Sequence, residues 1–149
     1  MGIKIISENR KAFYNYEILD RFEAGVVLTG PEVKSLRAGR VNLNDSYALV
    51  HNGELVWLNG NISPYRFASI TPPDPLRTRT LLVHKQEIRR LVGFIQEKGL
   101  TLLPLKVYWK EGRVKLEIGV GRGKKLHDKR DTEKERDWQR EKEYWMKHG

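Results

Sequence analysis

Between Leu102 and Val120 the chain alternates apolar and polar side chains with a period of two, and a pattern of that length fits a half-buried β-hairpin. Leu103, Leu105, Val107 and Trp109 fall on one face of the first arm, with Lys106, Tyr108 and Lys110 on the other. In the second arm Val114, Leu116, Ile118 and Val120 alternate with Arg113, Lys115, Glu117 and Gly119, and Glu111-Gly112 supplies the turn. Another hairpin is centred on Asn52-Gly53, which suits the positive φ angles of a type I′ turn, between Ser46–His51 and Glu54–Leu58. Residues 14 to 28, rich in Tyr, Ile, Phe and Val, read as one long strand or a bent pair.

Two helical patterns interrupt these strands. The first is short: Gly30-Pro31 opens it, Val33 and Leu36 share a face at i, i+3, and Gly39 closes it. The second covers about 84 to 98, with Ile88, Leu91, Val92 and Ile95 on one stripe and Gly99 as its stop. Gly93 inside it costs roughly 1 kcal/mol relative to Ala, so either a neighbour packs closely there or the helix tolerates it. Pro64, Pro72, Pro73 and Pro75 make 63 to 78 a loop. Consecutive hairpins with an inserted helix predict a mainly β fold, a small Greek-key β-barrel of the oligonucleotide-binding (OB) type with short flanking helices.

A chain of 149 residues is expected to build one hydrophobic core, and composition says where it ends. Residues 122 to 149 hold only Leu126, Trp138, Tyr144, Trp145 and Met146 as apolar or aromatic side chains, too few for a core of their own. The expected organisation is therefore a folded domain over 1–121 and a basic C-terminal tail over 122–149. Within the tail, residues 122 to 130 carry five basic and one acidic side chain, whereas 131 to 149 carry five basic and six acidic. Positive charge is concentrated at the junction.

The formal net charge is +9, which favours a polyanionic partner through release of counterions from phosphates. Nucleic acid is the leading expectation, and no membrane partner is expected. There is no Cys, no apolar signal-peptide core near the N-terminus and no apolar run long enough to span a bilayer, so the expected location is cytoplasmic. His51, His84, His127 and His148 are scattered without metal-ligand spacing. His127-Asp128 is a poor dyad, because sequence neighbours point apart on either a strand or a helix. Gly121-Arg122-Gly123-Lys124-Lys125 lacks the spacing of a nucleotide-binding phosphate loop. No metal, cofactor or catalytic centre is expected.

The segments EVKSLRAGR at 32–40, NDSYA at 44–48, DPLRTRTLLVHKQEIRRL at 74–91, KGLTLLPLKVYWK at 98–110 and GRGKKLHDKR at 121–130 are specific in order and spacing. Together they closely resemble the SmpB family of SsrA-binding proteins, partners of transfer-messenger RNA in bacterial ribosome rescue, over Asn9 to Met146. The resemblance implies an OB-type barrel and a tail that is disordered when free and helical on the ribosome. It further implies a monomer in 1:1 complex with transfer-messenger RNA, carried to a stalled ribosome with elongation factor Tu bound through the charged RNA. There the tail would occupy the decoding centre and the empty mRNA channel of the small subunit.

Carried over residue by residue, the resemblance puts contacts to the tRNA-like domain at Asn9, Glu23, Leu82 and Lys115. Lys115, on the polar face of its strand, suits a phosphate contact or a solvated lysine. Glu23 suits an acceptor for a base edge or ribose hydroxyl, a group that orients a neighbouring Arg, or a structural ion pair. Leu82 suits either an RNA contact or the core. Lys34, Arg37 and Arg40 recur at i, i+3, i+6 as a basic stripe opposite Val33 and Leu36, and are grouped with the RNA contacts. Tyr14 stands where the family more often has His; it can stack on a small-subunit base or pack on the barrel. Lys124, Lys125, His127, Asp128, Lys129 and Arg130 form the expected decoding-centre segment, and Trp145-Met146 the expected mRNA-channel contact. Opposite charges at i, i+3 and i+4, such as Asp131–Lys134 and Glu143–Lys147, make a helix available to the tail on docking. Two other functions suit the same sequence: a general single-strand or ribosomal RNA binder on the same barrel, and a nuclease using His127 and Asp128.

Overall fold

A computed structural model of the chain describes residues 2–64, 73–96 and 99–124. In chain order these form β1 (Lys4–Glu8), α1 (Arg10–Asn15), β2 (Tyr16–Val26), α2 (Gly30–Arg37), β3 (Val41–Asn42), β4 (Tyr47–His51) and β5 (Glu54–Leu58). Then follow β6 (Asn61–Ile62), β7 (Arg79–Leu82), α3 (Lys85–Gln96), β8 (Leu100–Lys110) and β9 (Arg113–Gly123). Both expected hairpins form. Asn52 and Gly53 have φ of 52° and 76° between β4 and β5, and Glu111 and Gly112 have 53° and 74° between β8 and β9. Positive values at both turn residues match the right-handed twist of the strands they join.

The pairings close on themselves. All antiparallel, they run from β8 to β4, β4 to β5, β5 to β7, β7 to β2, β2 to β9, and from β9 back to β8. The described strands thus form a ring that leaves few open edges. β1 adds to the outside of β8, and β3 pairs with β6 as a separate ribbon. Inside the ring lie Ala24, Leu55, Trp57, Leu81, Leu102, Val107, Leu116, Ile118 and Val120, joined by Leu36 of α2 and Leu91 of α3.

The expected single apolar face of 103–109 is corrected by the structure. Leu102 and Val107 face the ring interior, whereas Leu103 and Leu105 pack outside it against Ala12, Phe13, Tyr16 and Ile18. An extra residue between Pro104 and Lys106 reverses the phase of the strand. Proline has no N–H for the ladder, so an irregularity of this kind suits its position. Tyr108 keeps its expected place on the face opposite Val107 and Trp109, but it is buried there rather than solvated.

Residues 14 and 15 are corrected from strand to helix. Asn9 caps α1, its Oδ1 accepting from Ala12 N at 3.1 Å, and Ala12 buries itself on Leu103 and Leu105. Local strand preference of the aromatics yields to that cap and packing. The chain then extends into β2 at Tyr16. The apolar floor under α1 requires Gly119 and Gly121 in β9, because a Cβ there would lie 2.8 Å from Leu105 and 3.2 Å from Leu103.

Helix α2 starts at Gly30, as expected from Gly30-Pro31, with Thr29 as N-cap in a reciprocal capping box with Glu32. It ends at Arg37, and Gly39 has a φ of 73°. Arg40 is therefore beyond the helix, and the expected i, i+6 stripe is reduced to Lys34 and Arg37. Glu32 does more than cap. Its side chain, 2 % exposed, accepts from Arg79 Nε and Arg77 Nη2, each at 2.6 Å. Arg79, fully buried, also donates to Gly60 O at 2.7 Å and Pro75 O at 3.0 Å and lies over the Trp57 ring. This clasp locks α2 to β7. In α3, a Cβ at Gly93 would meet nothing within 4 Å, so the helix tolerates a glycine that no neighbour requires.

Candidate nucleic-acid interface

Three of the residues expected to touch RNA meet at one end of the β2–β9 ladder. Gly25 of β2 pairs with Leu82 of β7 on one side and with Lys115 of β9 on the other. Glu23, two residues back along β2, points to the same side of its strand. Together with Phe22, Val83, His84 and Glu87 these residues line a groove of about 430 Å³. Gly25 gives the groove a flat floor: a Cβ there would sit 3.4 Å from Leu82 and 3.8 Å from the Lys115 ammonium. Leu82 is 60 % exposed, which removes it from the core and makes it an apolar wall presented to solvent.

The carboxylate of Glu23 is oriented by the protein. Tyr108 Oη donates to Glu23 Oε2 at 2.5 Å, and Lys110 Nζ straddles both oxygens at 3.3 and 3.4 Å. The hydrogen bond from Tyr108 is the main influence holding the Glu23 carboxyl below its ordinary range; partial burial opposes it, and Lys110 and Lys115 add to it. Tyr108 is pushed strongly upward by burial and by the same carboxylate, so the phenol remains a donor and Glu23 an acceptor at neutral pH. The structural ion pair expected of Glu23 is present, with Lys110 as its partner.

A second, smaller groove of about 280 Å³ continues from the first and shares Gly25, Leu82 and Lys115 with it. Its other walls include Val33 and Arg37 of α2, Trp109 of β8 and Arg113 of β9. The Arg37 guanidinium lies over the Trp109 ring, 5.9 Å from its centroid. Arg37 thus joins the Leu82–Lys115 surface. Lys34 is exposed on α2 without lining either groove, as is Arg40 in the following turn, whose backbone bonds Ser35 and Ser63.

Asn9 lies elsewhere. It is 3 % exposed; besides capping α1, its Nδ2 donates to Pro104 O at 2.9 Å and Leu43 O at 3.3 Å. Both amide protons are committed to backbone, so Asn9 holds α1 against β8. It lines a different groove, of about 690 Å³, with Lys11, Asn15, Tyr16, Tyr47, Gly123 and Lys124.

That groove surrounds Gly123 and Lys124, the last of the described residues. Lys124 N donates to Asn15 O at 2.9 Å, and Gly123 pairs with Tyr16, so the chain leaves the ring beside the C-terminal end of α1. Tyr14, half-buried, lies on the same helix and lines a shallow hollow with Arg10, Lys11 and Phe13. From the Tyr16–Gly123 rung to the Gly25–Lys115 rung is nine residues of β2, roughly 30 Å of strand. The ladder therefore separates the Glu23–Leu82–Lys115 surface from the surface carrying Tyr14 and Lys124. Lys125, His127, Asp128, Lys129, Arg130, Trp145 and Met146 lie outside the described residues.

Sequence reasoning missed Tyr108, Trp109, Arg113 and Gly25 as parts of this surface. A glycine in mid-strand signals close approach of another group, and that signal was available for Gly25. Tyr108 was hidden because its partner, Glu23, is 85 residues away in sequence. Among the described residues no cluster of His, Asp or Glu could hold a metal ion, and no helix is long and apolar enough to cross a membrane.

The family model of the SmpB protein matches residues 6–148. The SsrA-binding protein of Magnetococcus marinus is 55 % identical over 147 residues, covering 99 % of this chain and 98 % of that one. That of Synechococcus elongatus is 61 % identical over 142 residues, covering 94 % and 92 %. A solved chain described under "tmRNA-SmpB: a journey to the center of the bacterial ribosome" aligns with a TM-score of 0.69 at 51 % identity, over 80 % of this chain and 85 % of that one. A match of this extent, in sequence and in three dimensions, leaves one assignment: the chain belongs to the SmpB family of SsrA-binding proteins.

Proposed function

We propose that this protein binds the tRNA-like domain of transfer-messenger RNA and, with it, rescues stalled ribosomes by trans-translation. The observation that carries the reading is the convergence of Glu23, Leu82, Lys115 and Arg37 on adjoining grooves, about 30 Å of strand away from the root of a basic tail. The ring is an OB-type barrel in this reading, supported by its closed antiparallel circuit and by α3 inserted between β7 and β8. Lys115, Arg37 and Arg113 supply phosphate contacts, and Leu82 and Trp109 supply apolar surface for unstacked bases. One copy binds one RNA, and elongation factor Tu is engaged indirectly through the charged RNA.

The tail from Lys124 onward serves the ribosome. Its junction residues Lys125, His127, Asp128, Lys129 and Arg130 meet the phosphate-lined decoding centre, and Trp145-Met146 lies in the mRNA channel. Tyr14 stacks beside them on small-subunit RNA. The ring has no catalytic task.

Deleting everything after Lys124 tests the division. Binding to a tRNA-like-domain transcript, measured by gel shift with unrelated single strands as competitors, should persist while tagging of stalled products is lost. Equal competition by random strands would favour a general RNA binder, and loss of binding together with tagging would overturn the split.

A further inference from the structure

The groove around Glu23 is built unlike a phosphate site. A carboxylate repels phosphates, and here it is ionised, fixed by Tyr108 and flanked by an exposed leucine and a bare glycine floor. The other carboxylate in the groove, Glu87, is neutralised by Arg90 at 2.7 Å, and His84 lies at the rim. A ligand here must therefore bring hydrogen-bond donors to Glu23, a flat apolar face to Leu82 and Gly25, and a negative charge to Lys115. Resting on the function proposed above, we propose that this groove is a base-specific pocket that takes one unpaired guanine nucleotide of the RNA.

The choice of guanine follows from counting donors. An ionised carboxylate is acceptor-only, with about four acceptor positions on two oxygens. Tyr108 uses one on Oε2, and Lys110 bridges both oxygens through long, exposed bonds that exchange readily for a backbone phosphate. Guanine alone among the four bases presents two adjacent donors, N1–H and N2–H, on its Watson–Crick edge. Adenine and cytosine each pair a donor with an acceptor there, and the acceptor would face the carboxylate. Uracil places its single donor between two carbonyls. A contact to ribose 2′-OH would satisfy Glu23 equally well with any base, so base preference separates the two chemistries. The volume of about 430 Å³ falls within the ~300–1,000 Å³ of small-ligand sites. Lys115, lying over Gly25, is placed to meet the phosphate of the same nucleotide.

Tyr108 is a positioning residue. Its bond holds the rotation of the carboxylate that lines the groove.

The test is nucleotide-analogue interference on a tRNA-like-domain transcript with inosine partly replacing guanosine, since inosine lacks only the N2 amine. At one unpaired guanosine, inosine should weaken binding to the wild-type protein by about tenfold, the loss of one hydrogen bond to a charged group. Glu23→Gln should abolish that discrimination, because the amide offers one acceptor and one donor, and should shift preference at that position toward adenosine. Tyr108→Phe should blunt the discrimination while the protein retains its melting transition. Uniform binding of all analogues by a protein that still binds the transcript would overturn the pocket and leave the proposed function standing. Interference that persists unchanged in Glu23→Gln would assign the readout to another group and overturn it equally. Failure of the wild-type protein to bind the transcript would instead refute the function itself.

Discussion

Replacing Arg79 with Met removes the buried guanidinium while keeping an unbranched side chain over Trp57. Three interactions disappear: the bond to Glu32, and those to the carbonyls of Gly60 and Pro75. Breaking a buried ion pair by removing one partner costs about 3–5 kcal/mol, most of it from the charge left behind. Glu32 here retains Arg77 Nη2 at 2.6 Å and Thr29 N at 2.9 Å, so its charge stays partly compensated. The lower end, about 3 kcal/mol, is expected. That is a large part of the ~5–15 kcal/mol by which a domain is stable. With a urea slope of about 1.5–2 kcal/mol/M, the midpoint should fall by about 1.5–2 M. Because the clasp locks α2, carrying Arg37, to β7, carrying Leu82, the variant should also bind RNA more weakly under conditions where it remains folded. A midpoint shift under about 0.5 M at unchanged slope would show that the clasp is not what holds these elements together.

The same carboxyl predicts an acid response. Burial opposes ionisation of Glu32, but hydrogen bonds from Arg77, Thr29 and Arg79 outweigh it and leave the group below its ordinary range. Its contribution is therefore complete above the unfolded value of about 4.3 and fades as pH falls through the folded one; Glu32→Gln should be less stable at neutral pH and lack that component of acid loss in urea titrations. Gly93→Ala, at an unobstructed helical site, should raise stability by roughly 1 kcal/mol, and a loss would reveal a hidden neighbour. Gly60→Ala should do the reverse, since its Cβ would fall 2.0 Å from the Trp57 ring, a clash worth about 1–3 kcal/mol or more by thermal melting. Lys115→Ala should weaken RNA binding and reduce the slope of log affinity against log salt by about 0.7–0.9, whereas an unchanged slope would remove Lys115 from the phosphate contacts.

What could be read without a fold was local. The Asn52-Gly53 and Glu111-Gly112 turns, the alternation along β9 and the stripe of α3 depend on neighbours in sequence, and backbone sterics and periodicity decide them. The basic junction after Gly121 is compositional, although β9 carries the ladder two residues further, through Arg122 and Gly123. The order and spacing of the family motifs also grouped Glu23, Leu82 and Lys115 as expected RNA contacts. Tertiary structure decided the rest. Long-range pairing brought Glu23, Leu82 and Lys115 around Gly25, which no periodicity predicts for residues so far apart in sequence. It buried Asn9 as the cap of α1, its amide protons donating to carbonyls brought in by β8 and the β3–β4 turn. It placed Arg79, by its charge a surface residue, at full burial, since Glu32 and two carbonyls satisfy it there. Charged and amide side chains take their roles from whichever partners the folded chain supplies, and those partners are distant in sequence; turns and amphipathic stripes take theirs from residues close by.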